Sequence, residues 1–186
     1  GEDYLRVLFF FARHPGARRW LALLLLFKFG EALASAMARP FLVDRRLTRD
    51  DIAWLLGIVG FVMGFAGSLL GGALVNRLGR RRALLTFGLL QALVVGGYAL
   101  LALPLARGLL LPTPDLAWLD PRLRVSYAVV GLCGLEFLGS GLATAALFTA
   151  MMDVCRPATA ATDYTLQASV VVMATLLASS LSEFIA

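Results

Sequence analysis

Histidine and cysteine are almost missing from this 186-residue chain, which has His14 alone and only Cys133 and Cys155. A zinc site would lack ligands, and there is neither a C-x-x-C pair nor a disulfide-dense framework, so no metal and no cofactor is expected. Lysine is as rare: Lys28 is the single lysine among 17 basic residues. Charge of either sign is sparse, at 16% of residues against 60% hydrophobic, and the mean hydropathy is +0.82. That apolar share exceeds what an ordinary globular domain carries and leaves no soluble core to build, which points to an integral membrane protein. The net charge of +5 has no aromatic-interleaved basic face beside it. This excludes nucleic acid as a partner and leaves the lipid bilayer as the reason for short basic clusters between apolar runs. No nucleophile–base pair or metal constellation suggests an enzyme.

What is present is a series of long apolar runs. Five can cross a hydrocarbon core, which needs about 20 residues: residues 20–37, 52–75, 83–105, 125–152 and 162–185. The fold class expected is therefore all-α, a polytopic membrane helix bundle. Ahead of the spans, residues 1–19 place Phe9, Phe10 and Phe11 beside Arg6, Arg13, Arg18 and Arg19, the pattern of a helix lying along the interface, with His14-Pro15-Gly16 as a break. Polar links are expected from Arg39 to Asp51 and from Arg107 to Arg124, and a tight basic turn from Asn76 to Arg82. If the chain alternates across the membrane, nine basic residues fall on the side of the tight turn and seven on the other, which favours a cytoplasmic turn. The chain starts at Gly1 without an initiator Met and stops at Ala186 inside an apolar run, so both ends are expected to be cuts.

Lys28 and Glu31 interrupt the first apolar run near its middle. A charge at the bilayer centre costs roughly 2.5–3.5 kcal/mol, while each Leu or Phe returns only about 0.3–0.6. This helix must face neighbours, a partner charge or water. Lys28, Glu31, Ser35 and Arg39 form one stripe at spacings of three, four and four. Either the first two neutralise each other and aid packing, or the stripe lines a solute or ion path. An apolar pair of similar volume would serve stability as well, which favours the path. In the fourth span Glu136, Ser140 and Thr144 share a face, with Glu136 roughly 16 Å below Val125 at the helical rise and Lys28 roughly 13 Å inside Arg19. Two stripes at matching depth predict facing walls of a cavity. A carboxyl there is disfavoured as an anion by low dielectric and favoured by a nearby cation, which suits a site that loads and releases a proton. The alternative is a Glu136 held permanently protonated against a neighbouring helix.

The second span carries Gly57, Gly60, Gly64, Gly67 and Gly71 at helical spacing, and the fourth repeats the theme with Gly131, Gly134 and Gly141, so close helix packing is expected. Gln91 and Tyr98 share a face of the third span and are expected as interhelical glue. Asp153, Arg156 and Asp163 flank the last turn at the membrane surface, where they can pair with Arg80 to Arg82, and a gate and a simple solvated turn are both open there.

The run Gly72-Ala73-Leu74-Val75-Asn76-Arg77-Leu78-Gly79-Arg80-Arg81-Arg82 resembles the G-x-L-a-D-R-x-G-R-R-R loop of the major facilitator superfamily, with Asn76 in place of the usual Asp. The resemblance implies that Gly72, Asn76, Arg77, Gly79, Arg80 and Arg81, with Asp153, form a cytoplasmic gate in which Gly72 admits a neighbouring helix and Gly79 permits the turn. Lys28-Phe29-Gly30-Glu31, the stretch from Glu136 through Gly141, Thr144 and Ala146, and Ala161-Thr162-Asp163-Tyr164-Thr165-Leu166 are similar to segments of one branch, the AmpG-type muropeptide permeases and their acetyl-coenzyme-A transporter relatives. Ser140 and Ala143 stand where that branch tends to have Gly. On that likeness the spans correspond to helices seven to eleven of twelve, residues 1–19 end the central interdomain loop, and the amino-terminal six-helix half is the partner. The implied protein is a multi-pass proton symporter of the bacterial inner membrane, importing muropeptide-like solutes. Lys28 and Arg39 would draw an anionic group, and Glu31 or Glu136 would carry the proton. A proton-coupled drug or metabolite exporter of the same superfamily, and a non-transporting membrane sensor, are the rival expectations.

Overall fold

A computed structural model describes residues 9, 15–44, 47–102 and 127–185. Most of the expected interfacial segment, the link from Arg107 to Arg124, and the side chains of Arg39 and Glu183 lie outside what is described. The described chain is all α, a membrane helix bundle. We label its helices α1 (Pro15–Asp44), α2 (Arg49–Leu78), α3 (Arg80–Ala102), α4 (Tyr127–Val154) and α5 (Ala160–Ile185), the last entered through a 3-10 turn at Pro157–Thr159.

Four helices among the described residues are long and apolar enough to cross a membrane: Arg49–Leu78, Arg80–Leu100, Tyr127–Val154 and Pro157–Ser182. Residues 52–75, 83–102, 127–152 and 162–185 of the expected spans fall in α2 to α5, and residues 103–105 and 125–126 lie outside the described residues. The first expected span lies wholly inside α1. Their outer faces are apolar: Phe61 is 73% exposed and stacks its ring on Phe65 at 6.2 Å, and Leu85, Leu89 and Leu93 continue the pattern on α3. Contiguous apolar faces of this extent are rare on monomers in water and ordinary against hydrocarbon.

Helix α1 departs from expectation on both sides of the first expected span. From Pro15, where the described stretch begins, it runs without interruption through residues 19 and 20. It then continues through Pro40 to Asp44, where a polar link was expected. Proline removes one helical hydrogen bond and crowds the preceding turn. Here the chain stays helical because Ala38 and Leu42 are buried in a cluster with Leu55, Val94, Tyr98, Val129 and Cys133. Tertiary burial thus outweighs a local break. The short link that follows is closed by a capping box at the start of α2: the Thr48 hydroxyl accepts from the Asp51 N–H at 3.2 Å, and the Asp51 carboxylate accepts from the Thr48 N–H at 3.0 Å.

The chain divides into two compact units, residues 37–146 and residues 1–36 with 147–186. In the first, α2 and α4 touch backbone to backbone. A Cβ on Gly67 would run into the Leu138 carbonyl, one on Gly71 into Leu142, and one on Gly141 into the Gly64 carbonyl and the Ser68 N–H. Gly60 lies under the Phe137 ring. Gly57 and Gly131 do not share in this: both are exposed, with open space where a Cβ would stand. For Gly57 the cause is a π-helical turn at Leu55–Val59, which widens the helix and breaks the three-and-four register. The tight turn between α2 and α3 forms as expected at Gly79, with φ 79°, its N–H donating to the Val75 carbonyl and its own carbonyl accepting from Ala83.

Candidate functional site

In the unit formed by residues 1–36 and 147–186, α1 brings Lys28 and Glu31 together one turn apart. Lys28 Nζ donates to Glu31 Oε2 at 2.9 Å, with the lysine side chain 18% exposed and the glutamate 5%. An acid and a base joined mid-helix is the arrangement that lets both charges sit among apolar residues. Ser35, next along the stripe, is half-buried.

Farther along the same unit, the junction of α4 and α5 is polar and tightly joined. The Asp163 carboxylate is fully buried and accepts three bonds from Arg156: from Nη2 at 2.8 Å, from Nε at 2.9 Å and from the backbone N–H at 3.0 Å. These bonds make the guanidinium give up its proton less readily than usual. Of the pairings open to Asp163 in sequence, the one present among the described residues is with Arg156, whose seven-residue separation across the 3-10 turn lets the guanidinium fork reach it. One turn on, Gln167 is buried and joins three segments. It accepts from the Trp20 indole N–H at 2.6 Å and donates to the Met151 carbonyl at 3.2 Å and to the Asp163 carbonyl at 3.3 Å. Burial pushes the neighbouring Cys155 thiol up, with the charge of Asp163 adding to it, so it stays protonated at neutral pH.

In the unit formed by residues 37–146, Glu136 is buried and its Oε2 accepts from the Tyr98 hydroxyl at 2.6 Å. Cys133 Sγ lies 3.3 Å from the same hydroxyl. Cys133 and Glu136 lie three residues apart on α4, and Tyr98 comes from α3. Sequence spacing placed Glu136 with Ser140 and Thr144, both half-buried, but gave no sign of its pairing with Tyr98. Thirty-eight residues separate the two, and it is the contact of α3 with α4 that joins them.

The glue expected of Tyr98 and Gln91 is thus present at Tyr98 alone. Gln91 is 5% exposed and its Nε2 has no hydrogen-bond partner among the described residues. An unmet buried donor costs about 1–3 kcal/mol. We therefore expect Gln91→Leu to hold or raise stability, by about 1 kcal/mol, in thermal unfolding of the detergent-solubilised protein; a loss larger than that would mean the amide is bonded.

At the basic turn, Asn76, Arg77, Arg80, Arg81 and Arg82 are exposed, as is Asp153. A Cβ on Gly72 would meet nothing within 4 Å, so the close approach expected there is carried one turn earlier by Gly67 and Gly71. The turn is closed by the backbone of Gly79 rather than by a side-chain cap from Asn76.

Glu31, Glu136 and Asp163 are thus buried ionisable side chains on three helices, α1, α4 and α5. Over 163 residues the chain is 32% identical to the anhydromuropeptide permease of Escherichia coli. That match covers 84% of this chain and 28% of the permease. An uncharacterised protein of Haemophilus influenzae is 31% identical over 147 residues, covering 79% of this chain and 32% of that protein. The putative transporter AmpG 4 of Rickettsia conorii is 31% identical over 84 residues, covering 45% of this chain and 20% of that protein. The chain spans less than a third of the length of the curated relatives it matches. No family model and no solved structure matches it. The relatives and the four apolar helices together describe a multi-pass membrane protein.

Proposed function

We propose that this chain is part of a proton-coupled secondary transporter of the major facilitator type, in a bacterial inner membrane, that imports muropeptide-like solutes and not one that performs a chemical reaction. The observation that carries the reading is the match to the anhydromuropeptide permease across 84% of the chain. Its partner is the other six-helix half of the same transporter, against which such folds rock to alternate access.

The Lys28–Glu31 pair supplies a mechanism for coupling. With Glu31 ionised, its carboxylate occupies the lysine at 2.9 Å and the pair is close to neutral. A proton taken up by Glu31 removes that hold and leaves Lys28 as a positive charge that an anionic group of the solute can neutralise. Proton and anion then enter together, so neither crosses the low-dielectric interior uncompensated. Ser35 adds a neutral hydrogen-bonding group to this stripe. Glu136, Ser140 and Thr144 are a second polar stripe, on α4, for the proton or the solute.

The complete transporter in proteoliposomes tests this. Glu31→Gln and Glu136→Gln are each assayed for uptake driven by a pH gradient and for solute exchange without one. At least one is expected to lose driven uptake by a hundredfold or more while keeping exchange. Normal driven uptake in both would remove these carboxyls from coupling, and absence of any muropeptide flux in the unmodified protein would remove the transport reading.

A further inference from the structure

We propose that the turn between α2 and α3 binds the headgroup of an anionic phospholipid whose acyl chains lie along the apolar stripes beneath it. Asn76, Arg77, Arg81 and Arg82 are exposed around Gly79. All the residues concerned belong to the unit formed by residues 37–146. Both helices that meet at Gly79 are regular α-helices beyond the π-turn, so their faces follow from spacing. Arg82, with Arg81 beside it, stands over Leu85, Leu89 and Leu93 at three, seven and eleven residues, and all three leucines are exposed. Asn76 stands over Leu69 and Phe65 at seven and eleven residues, and Arg77 over Leu70 at seven; these too are exposed. Eleven residues of helix cover about 16 Å, close to half of a hydrocarbon core about 30 Å thick. The stripes below Arg82 and Asn76 therefore run from a polar group at the membrane surface to the depth that one acyl chain reaches.

Charge complementarity selects the occupant. A guanidinium is always charged and presents its donors in one plane, a match for the oxygens of a phosphodiester. Its long apolar stem can lie on the residues below while the charge stays in the headgroup layer. Between Phe65 and Leu93 the sequence holds no Asp or Glu, so neither stripe carries a charge that repels a phosphate. Asn76 stands where the loop it resembles has Asp, and there it offers an amide donor in place of a like charge. A zwitterionic headgroup would set its ammonium against the arginines, and a water-soluble phosphate would leave the stripes unused. Basic clusters at the cytoplasmic ends of membrane helices recognise anionic headgroups by this same physics.

The test is native mass spectrometry of the complete detergent-solubilised protein with added phosphatidylglycerol or phosphatidylcholine of identical chains. An arginine near an anionic membrane surface is worth about fivefold in binding, so phosphatidylglycerol is expected to bind at least about tenfold more tightly. The variant carrying Arg77→Gln, Arg81→Gln and Arg82→Gln is expected to lose that preference while binding phosphatidylcholine as before. Asn76→Asp, a single change at an exposed position, is expected to weaken phosphatidylglycerol binding about fivefold, and it provides the measurement should the triple variant fold poorly. Glycerol phosphate, which has the anion without the chains, is expected not to displace the lipid even in large excess. Four results each overturn the proposal: equal affinity for the two lipids, a triple variant that keeps the preference, an Asn76→Asp variant that binds phosphatidylglycerol as the parent does, and displacement by glycerol phosphate, which would make this a site for a free anion. Neither solute nor gradient is present in the measurement, so its outcome is independent of the transport reading.

Discussion

A valine at Gly141 is expected to abolish the native contact between α2 and α4 and to destabilise the protein by about 3 kcal/mol or more. At this crossing the obstacles to a Cβ are the Gly64 carbonyl, the Ser68 N–H and the Gly67 carbonyl carbon, all main chain. A side chain can change rotamer to admit a methyl; two helical backbones in contact must move apart. Gly67 faces the same constraint from the Leu138 main chain, so Gly67→Val belongs with it. Gly97 is the informative comparison, because only the flexible end of Leu132 stands in its way, and Gly97→Ala is expected to cost under 1 kcal/mol. At Gly72, with open space around it, alanine is expected to be neutral or slightly stabilising, since it favours the helix. Thermal unfolding of the detergent-solubilised protein ranks the four. Equal losses at Gly141 and Gly72 would contradict the backbone contact.

The second large effect is expected at the junction of α4 and α5, and it is asymmetric. Arg156→Ala strips the fully buried Asp163 carboxylate of both guanidinium bonds, at an expected cost of about 2–3 kcal/mol. Asp163→Ala leaves a guanidinium already 36% exposed, which can extend into water, so about 1 kcal/mol or less is expected. The double variant Arg156→Ala with Asp163→Ala should then be more stable than Arg156→Ala alone. Arg156→Lys keeps the charge but cannot supply Nε and Nη2 to two oxygens at once, and it should fall between the parent and the alanine variant. The same unfolding measurement decides: a double variant no better than Arg156→Ala would show that the carboxylate was never the liability.

Much of the architecture is legible in the order of residues because lipid demands long apolar runs, and α2 to α5 follow from that demand alone. The end of α1 was not, since Pro40 is a strong local signal for a break and only the burial of Ala38 and Leu42 overrides it. The glycine face was half legible: Gly60, Gly67 and Gly71 lie where helical spacing puts them, while the π-turn removes Gly57. Within the candidate site, the bond between Lys28 and Glu31 was visible as a local possibility, three residues apart on one helix. The bond between Tyr98 and Glu136 was not, because periodicity assigns residues to faces of their own helix and says nothing of which face meets which. For the same reason Gln91 and Tyr98, alike in sequence context, differ in outcome.

The indole of Trp20 ends its bond on Gln167, and Gln167 in turn grips the Met151 carbonyl of α4 and the Asp163 carbonyl of its own helix. Light absorbed by that one ring is therefore emitted from the centre of a knot between three pieces of chain. With Trp54 and Trp118 replaced, that emission gauges whether the starts of α1 and α5 and the end of α4 stay tied during a working cycle, with no dye to attach.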